Sequence, residues 1–255
     1  MRTRQFFTLA LALIAFAGCK NDSAENAPNT SGEAKVKESF EARVKREIEA
    51  KLQLPATEKY TYAIHREFIS SDTIQDAIIT VNRMAFAIDE SIRTNSTAKA
   101  VEMGYMGNYN FFFYYDGAKD RFSVPIPVPS SPGRPLDVSF ESIVSPARKD
   151  VMIDYRIRNS GSRAYFTVLN ESDLLLIFRW NRFDHAGESK PTALLHSLEE
   201  SPNGGAKDIV IYESELDNNA EVTKDVYQFE PVITKKGKLV QHFIYEPRAA
   251  KYRLK

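Results

Sequence analysis

The sequence predicts a mainly β protein made of three repeated units of four antiparallel strands, preceded by an amphipathic helix. Three observations support this prediction. Apolar and polar residues alternate after residue 60, whereas apolar residues recur at helical spacing before it. The 16 Phe and 12 Tyr residues supply large side chains that sheets favour. In addition, a polar turn that ends on an aspartate and leads directly into an apolar strand occurs three times.

The composition is that of a globular protein without a strong electric field. With 255 residues, 43% of them hydrophobic, the chain can bury a full core without disulfides. The 34 basic residues equal the 34 acidic residues, so we predict no nucleic-acid partner. The single cysteine, Cys19, excludes an intramolecular disulfide and a thiolate-rich metal site.

Residues 1–18 have the pattern of an export signal. Arg2 and Arg4 precede a largely apolar run from Phe6 to Ala17. This run would form about 18 Å of helix, which is short of a hydrocarbon core of roughly 30 Å. A membrane-spanning helix is therefore the weaker interpretation.

The end of this segment resembles the lipobox of bacterial lipoproteins. Ala17 and Gly18 stand directly before Cys19, with Phe16 at a position where Leu is commoner in that family. The resemblance implies that Cys19 carries a lipid and anchors the protein in the bacterial cell envelope. Lys20 after the cysteine implies sorting to the outer membrane. The alternative is a plain secretory signal with an incidental cysteine.

A tether and a helix are predicted to follow. Residues 19–32 are polar, so they cannot bury enough apolar surface to offset the entropy of ordering, and we expect a disordered tether. Residues 33–54 form an apolar stripe with a spacing of four, which predicts an amphipathic helix that ends before Pro55. We expect the stripe to pack on the following domain. The alternatives are docking to a partner helix and lying on a membrane surface.

The β-rich domain is expected to span residues 55–255. The repeated turns end at Asp76, Asp150 and Asp208, which are 74 and 58 residues apart. An insertion from Met84 to Met106, predicted to form one or two short helices, accounts for the longer first spacing. The three predicted units cover approximately residues 60–129, 135–183 and 192–247. Because closed propellers have four to eight blades, we expect an incomplete propeller-like arrangement or stacked sheets.

The first turn, FISSDTIQD followed by AIITVN, resembles a degenerate FG-GAP or VCBS-type repeat. The family pattern is a D-x-[DN]-x-D-G-x-x-D loop leading into a strand of a propeller-like blade. Asp72 and Asp76 match its fifth and ninth positions, and Ser70 stands at the third. Phe68 and Thr73 replace an Asp and the Gly. The later turns retain less of the pattern, and their last aspartate is common to both.

The same residues decide the prediction for a metal. Calcium requires six to eight oxygen ligands, whereas this loop offers two carboxylates and a hydroxyl. We therefore predict no metal and no cofactor, with Asp72 and Asp76 as the alternative calcium ligands. The aspartates are expected to accept hydrogen bonds from turn amides and to fix the start of the next strand.

The sequence contains no recognisable catalytic motif. The four histidines lack the spacing of a metalloprotease site, and there is no GxSxG sequence or phosphate-binding glycine loop. Any nucleophilic serine or threonine is unmarked by the sequence.

Four side chains are candidates for ligand contacts. Arg156 and Arg158 are predicted to share a strand face with Asp154, where they bind a carboxylate or phosphate or form a solvated charged ladder. Tyr114 and Trp180 are predicted either to stack on a sugar ring or to lie in the core.

These features predict a lipid-anchored envelope protein that acts as a non-catalytic binding or interaction module for a protein or glycan ligand. The alternative is an envelope hydrolase that cleaves carbohydrate with paired carboxylates. Two carboxyls converging across a deep aromatic-lined cleft would favour the hydrolase, whereas a shallow solvated surface would favour binding.

Overall fold

The computed structural model describes residues 38–95, 107–169, 173–185, 191–202, 204–217 and 230–255. The predicted signal peptide, Cys19 and the tether lie outside these residues. Ser39–Lys255 form one compact unit. Its described residues form thirteen strands and two helices, and every strand pairing is antiparallel, which confirms the mainly β prediction.

Helix α1 spans Phe40–Lys51, within the predicted helical segment. The Ser39 side chain caps it by accepting a hydrogen bond from the Ala42 amide at 3.1 Å. Val44 and Ile48 are the buried residues of the helix, one turn apart on the same face. The apolar stripe therefore packs on the domain, as predicted.

The first sheet has five strands. They are β1 (Thr61–Glu67), β2 (Asp76–Asn82), β3 (Asn110–Asp116), β4 (Arg121–Phe122) and β5 (Ile126–Val128). The order is β1-β2-β3-β4, and β5 pairs with β3 beyond the end of β4. Helix α2 (Met84–Arg93) follows β2 and occupies the first part of the predicted helical insertion. None of the helices in the described part of the chain is long and apolar enough to cross a membrane.

The second sheet has eight strands in chain order. They are β6 (Asp137–Glu141), β7 (Asp150–Ile157), β8 (Ser160–Leu169), β9 (Asp173–Asp184), β10 (Thr192–Glu199), β11 (Asp208–Ser214), β12 (Leu239–Glu246) and β13 (Lys251–Leu254). The two halves join only where Phe183 and Asp184 of β9 pair with Ala193 and Thr192 of β10. The strands thus form one sheet of five and one of eight, and the end of the long strand β9 supplies the backbone partners that join β10 to the second sheet.

Three β-hairpins, β1–β2, β6–β7 and β10–β11, have the same register, and we call them the aspartate hairpins. In each, a glutamate that ends the first strand pairs with the aspartate that begins the second, across a loop of eight residues. The pairs are Glu67 with Asp76, Glu141 with Asp150, and Glu199 with Asp208. All three aspartates are buried, with at most 2% of their surface exposed.

The aspartates hold the loops by hydrogen bonds. Asp76 accepts one bond from the Ser70 amide and one from the Gly117 amide, both at 2.9 Å. A side chain at Gly117 would meet the Gln75 carbonyl oxygen at 2.2 Å, so this position requires glycine. The predicted role of Asp76 as an acceptor for turn amides is thus confirmed.

The aspartate of the β6–β7 hairpin also accepts hydrogen bonds from loop amides, and the aspartate of the β10–β11 hairpin contacts a histidine. One oxygen of Asp150 accepts hydrogen bonds from the Ile143 and Val144 amides, at 3.0 and 2.8 Å. Asp208 contacts the His242 ring at 2.7 Å, so a side chain from β12 reaches this aspartate.

Equivalent backbone bonds connect successive aspartate hairpins. The Lys149 amide donates to the Ile69 carbonyl at 3.0 Å, and the Lys207 amide donates to the Ile143 carbonyl at 2.7 Å. Each donor directly precedes a hairpin aspartate, and each acceptor stands two residues after a hairpin glutamate. The three loops therefore lie side by side at one end of the molecule.

The core is arranged in layers. Val44 and Ile48 of α1 pack on one face of the first sheet, against Ala77, Ile79 and Val81. The other face packs on β7 and β8, where the rings of Phe112 and Phe166 are 5.0 Å apart.

The eight-stranded sheet folds back on itself. Phe178 of β9 and Phe243 of β12 have ring centroids 4.7 Å apart, although two strands separate them in the sheet. Ile209 and Ile211 of β11 belong to the same buried cluster as Tyr165 of β8. The half of the sheet after the β9–β10 junction therefore covers the half before it.

Candidate functional site

Two pockets share Pro135 as a lining residue. Pro135 lies in the chain segment that connects the first sheet to the second. The first pocket has a volume of about 50 Å³ and contains most of the charged residues. We call it the arginine pocket. Its charged and aromatic lining residues are Arg134, Asp137, Asp154, Tyr155, Arg156, Arg182, Phe183 and Glu230.

The segment beside the pocket is held by asparagine side chains from the first sheet. This segment is rich in proline, and its first part forms β5. Asn82 donates a hydrogen bond to the Pro132 carbonyl at 2.8 Å, and Asn110 donates one to the Ser130 hydroxyl at 2.9 Å. The Ser131 amide donates to the Arg156 carbonyl at 2.7 Å, which fixes the linker against β7.

Arg156 forms the inner wall of the arginine pocket. It is 6% exposed, and its guanidinium lies 5.4 Å from the centroid of the Phe183 ring. Gly161 is its register partner on β8, and a Cβ there would stand 3.5 Å from the Arg156 Cδ atom. Burial, together with the nearby charge of Arg134, lowers the pKa of Arg156 to about 10. The pocket thus holds a guanidinium whose charged form is destabilised by burial and by a neighbouring positive charge.

Asp154 anchors two further arginines. Arg163 donates two hydrogen bonds of 2.7 Å, one to each carboxylate oxygen, in the bidentate geometry that guanidinium groups favour. Arg182 contacts the same carboxylate from β9. Burial lowers the pKa of Arg182, although Asp154 opposes this effect. One carboxylate is therefore shared by two arginines, which leaves a positive surplus.

The rim of the pocket is closed by an ion pair between Arg134 and Glu230. The Glu230 side chain is 68% exposed, whereas the Arg134 side chain is 27% exposed. A carboxylate that reaches in from solvent therefore contacts a guanidinium that is mostly enclosed.

The structure separates the two predicted arginines. Arg156 shares the pocket with Asp154, as their predicted common strand face requires. Arg158 lies in the turn between β7 and β8 with φ of 54°, is exposed, and is not among the residues that line the pocket. The turn rotates the backbone, so the alternation that placed Arg158 on the same face ends at Ile157.

The two predicted sugar platforms are in the core. Tyr114 is fully buried between the sheets, and this burial raises its pKa, with Asp76 adding to the effect. Trp180 is half-buried and stacks on Phe178 with an interplanar angle of 3°, and its ring lies 5.2 Å from that of Phe243. The stacking interpretation is therefore wrong for Tyr114, and Trp180 is engaged with other aromatic rings.

The two candidate calcium ligands serve different contacts. Asp72 accepts a hydrogen bond from the Ile74 amide at 2.8 Å in an exposed turn, whereas Asp76 is buried. Among the residues that the structure describes, no group of three or more His, Cys, Asp or Glu side chains is placed to hold a metal ion.

Sequence reasoning missed most of the arginine pocket and half of each aspartate hairpin. Arg134, Arg182 and Glu230 come from distant parts of the chain, and only the tertiary fold brings them together. The glutamates of the hairpins, in contrast, had a visible signal. Each stands nine residues before its aspartate in all three hairpins.

No protein-family model, curated protein or solved structure matches this chain. The arginine pocket and the aspartate hairpins therefore carry the functional inference by themselves.

Proposed function

We propose that this chain is a lipid-anchored cell-envelope protein that acts as a non-catalytic interaction module, with the arginine pocket as its contact site. The observation that carries the proposal is that three arginines line one small pocket, and one of them is almost fully buried. Guanidinium groups that are held rigidly in this way suit recognition of an acidic group.

The chemistry of the pocket favours binding over hydrolysis. A glycosidase needs one carboxyl as acid and another as base or nucleophile, both facing the scissile bond. Here Asp154 is engaged by Arg163 and Arg182, and Glu230 is engaged by Arg134. Two of the three acidic residues that line the pocket therefore hold arginines.

The finer architecture also belongs to this proposal. We infer three repeated units at approximately residues 60–129, 135–183 and 192–247, arranged as an incomplete propeller or as stacked sheets and related to FG-GAP repeats. The shared register of the aspartate hairpins and the equivalent bonds from Lys149 and Lys207 support it. The joining of the second and third units through two residue pairs is compatible with a minor contact between units.

An assay for hydrolysis tests the catalytic alternative. The purified protein is incubated with envelope polysaccharides, and newly formed reducing ends are measured. We expect no release above a protein-free control. Release that disappears in Asp154→Asn and persists in Asp72→Asn would establish the hydrolase and refute the interaction module.

The membrane anchor is tested separately. Replacing Cys19 with Ala removes the proposed acylation site, so the protein is expected to move from the membrane fraction to the soluble fraction. Lys20→Ala, which keeps the cysteine, serves as the matched control and should stay with the membrane. Membrane retention of Cys19→Ala would contradict the proposed anchor.

A further inference from the structure

We propose that the arginine pocket binds the carboxylate of an acidic side chain from a protein partner, and that Glu230 fills this position in the unbound protein. This inference rests on the interaction module proposed above and names the chemistry of its partner. It follows from the exposure of Glu230, the charge balance of the pocket and the burial of its aromatic residues.

The ion pair between Glu230 and Arg134 is one that another carboxylate can replace. Glu230 is 68% exposed and reaches Arg134 from the solvent side. Exposed ion pairs contribute little to stability, because water screens them and the side chains lose entropy. A carboxylate from outside can therefore take the place of Glu230 on Arg134 at small cost.

The charge balance of the pocket favours an added carboxylate. Arg134, Arg156 and Arg182 line it, and Arg163 shares Asp154 with Arg182. Among the residues that the structure describes, these four guanidiniums face three acidic side chains, namely Asp137, Asp154 and Glu230. When Glu230 swings out, the surplus rises from one positive charge to two. An incoming carboxylate restores the balance that Glu230 provides.

The aromatic residues of the pocket indicate a peptide rather than a sugar. Phe183 is 1% exposed and Tyr155 is 8% exposed, so neither ring presents a face on which a sugar could stack. The cavity of about 50 Å³ lies beside the Arg134–Glu230 ion pair and has room for a single small group such as a carboxylate. The carboxylate that now contacts Arg134 comes from a glutamate followed by Pro231, and both residues line the pocket.

Competition between Glu230 and a peptide tests the inference. The probe is the peptide acetyl-Gly-Glu-Pro-Val-Gly-amide, titrated into the full chain by calorimetry, with acetyl-Gly-Gln-Pro-Val-Gly-amide as its uncharged control, since capping removes the terminal carboxylate from both peptides. We expect binding of the first peptide only. Glu230→Gln should strengthen binding by about two- to fivefold, since the competing exposed ion pair is removed. Glu246→Gln, which alters an exposed pair with Arg253 elsewhere, should leave binding unchanged.

A second variant removes the guanidinium that is proposed to bind the carboxylate of the peptide. Arg134→Met should weaken peptide binding by about tenfold or more, because a charge-assisted hydrogen bond is lost. Its melting temperature is measured in parallel, so that only a variant that melts like the parent protein is interpreted. If Arg134→Met unfolds, the Glu230→Gln result alone decides.

Several outcomes would overturn the inference. They are equal binding of the two peptides, unchanged or weaker binding by Glu230→Gln, and tighter binding of free glucuronate than of the acidic peptide. The last result would identify an acidic sugar as the ligand. Absence of peptide binding together with absence of polysaccharide hydrolysis would refute this inference alone, whereas hydrolysis would refute the underlying interaction module.

Discussion

Asp76 shows how one buried carboxylate can determine the course of a loop. Its two oxygens hold amides from the β1–β2 loop and from the turn after β3, so two segments distant in sequence meet at one residue. We expect Asp76→Ala to lower the free energy of unfolding by about 3 kcal/mol, since two part-buried amides lose their carboxylate acceptor. Asp72→Ala, in an exposed turn, should cost less than about 1 kcal/mol. Urea unfolding of both variants measures the contrast.

The same pair of residues bears on calcium. If the loop is held by amides and not by a metal, EDTA should leave the melting temperature of the parent protein unchanged. A fall of several degrees that calcium reverses would show that Asp72 and Asp76 belong to a metal site.

His196 makes the stability depend on pH. Its Nε2 atom faces the Asn181 carbonyl at 2.9 Å and therefore donates, while Nδ1 accepts from the Tyr165 hydroxyl at 2.9 Å. Burial lowers the pKa of His196 to about 4, and the charges of Arg163 and Arg182 act in the same direction. Asp154 opposes them. The neutral ring is thus the form that the folded protein accepts.

The sign of the effect follows from linkage. Because the unfolded histidine has a pKa near 6.5, its contribution is complete above that pH and declines as the pH falls towards 4. The loss is on the order of 2 kcal/mol. We expect His196→Gln to be less stable than the parent at pH 7.5 but to lose less stability on going to pH 4.5, as measured by urea unfolding. Burial also lowers the pKa of His65, so some dependence should remain in the variant. Identical pH dependence in both proteins would show that His196 contributes nothing.

Helix α1 covers one face of the first sheet. Ala77, Ile79 and Val81 point away from the second sheet. Val44 and Ile48 of the helix pack on them and help to bury them. We expect Ile48→Ala to lower the free energy of unfolding by about 3 kcal/mol, because it creates a cavity in this layer. Lys45→Ala on the exposed face should change it by less than about 0.5 kcal/mol. Equal effects in urea unfolding would mean that the helix does not cover the sheet in solution.

Elements differed in how far the sequence could predict them. The spacing of Val44 and Ile48 and the runs of apolar and β-branched residues in β2 and β7 are local patterns, so the helix and these strands could be predicted. The arginine pocket could not, because Arg134 and Glu230 are 96 positions apart and meet only after the eight-stranded sheet has folded over. Tyr114 was ambiguous because aromatic residues occupy both faces of its strand, and only the packing of two sheets decides that it is buried.

At the scale of the whole molecule, the two described sheets share core layers, and we expect neither sheet to be stable alone. The first sheet packs on β7 and β8, and these strands also pack on β11 through their other face. We therefore expect a single cooperative unfolding transition. Trp180, the only tryptophan of the sequence, packs against the cluster that contains Phe178 and Phe243, so its fluorescence reports on that cluster, whereas far-ultraviolet circular dichroism reports on the backbone of the whole protein. Two distinct midpoints would show that the sheets unfold independently.

The side-by-side loops of the aspartate hairpins also restrict how the chain can change length. Because the Lys149 and Lys207 amides bond to the neighbouring loop, a residue added to one loop would misalign the next. Long connections instead occur where β2 and β11 end, at the opposite end of these strands. Arg156, near the far end of β7, lies at that same end. Sequence can therefore be inserted or exchanged beside the arginine pocket without disturbing the loops, so a new binding specificity can arise on an unchanged scaffold.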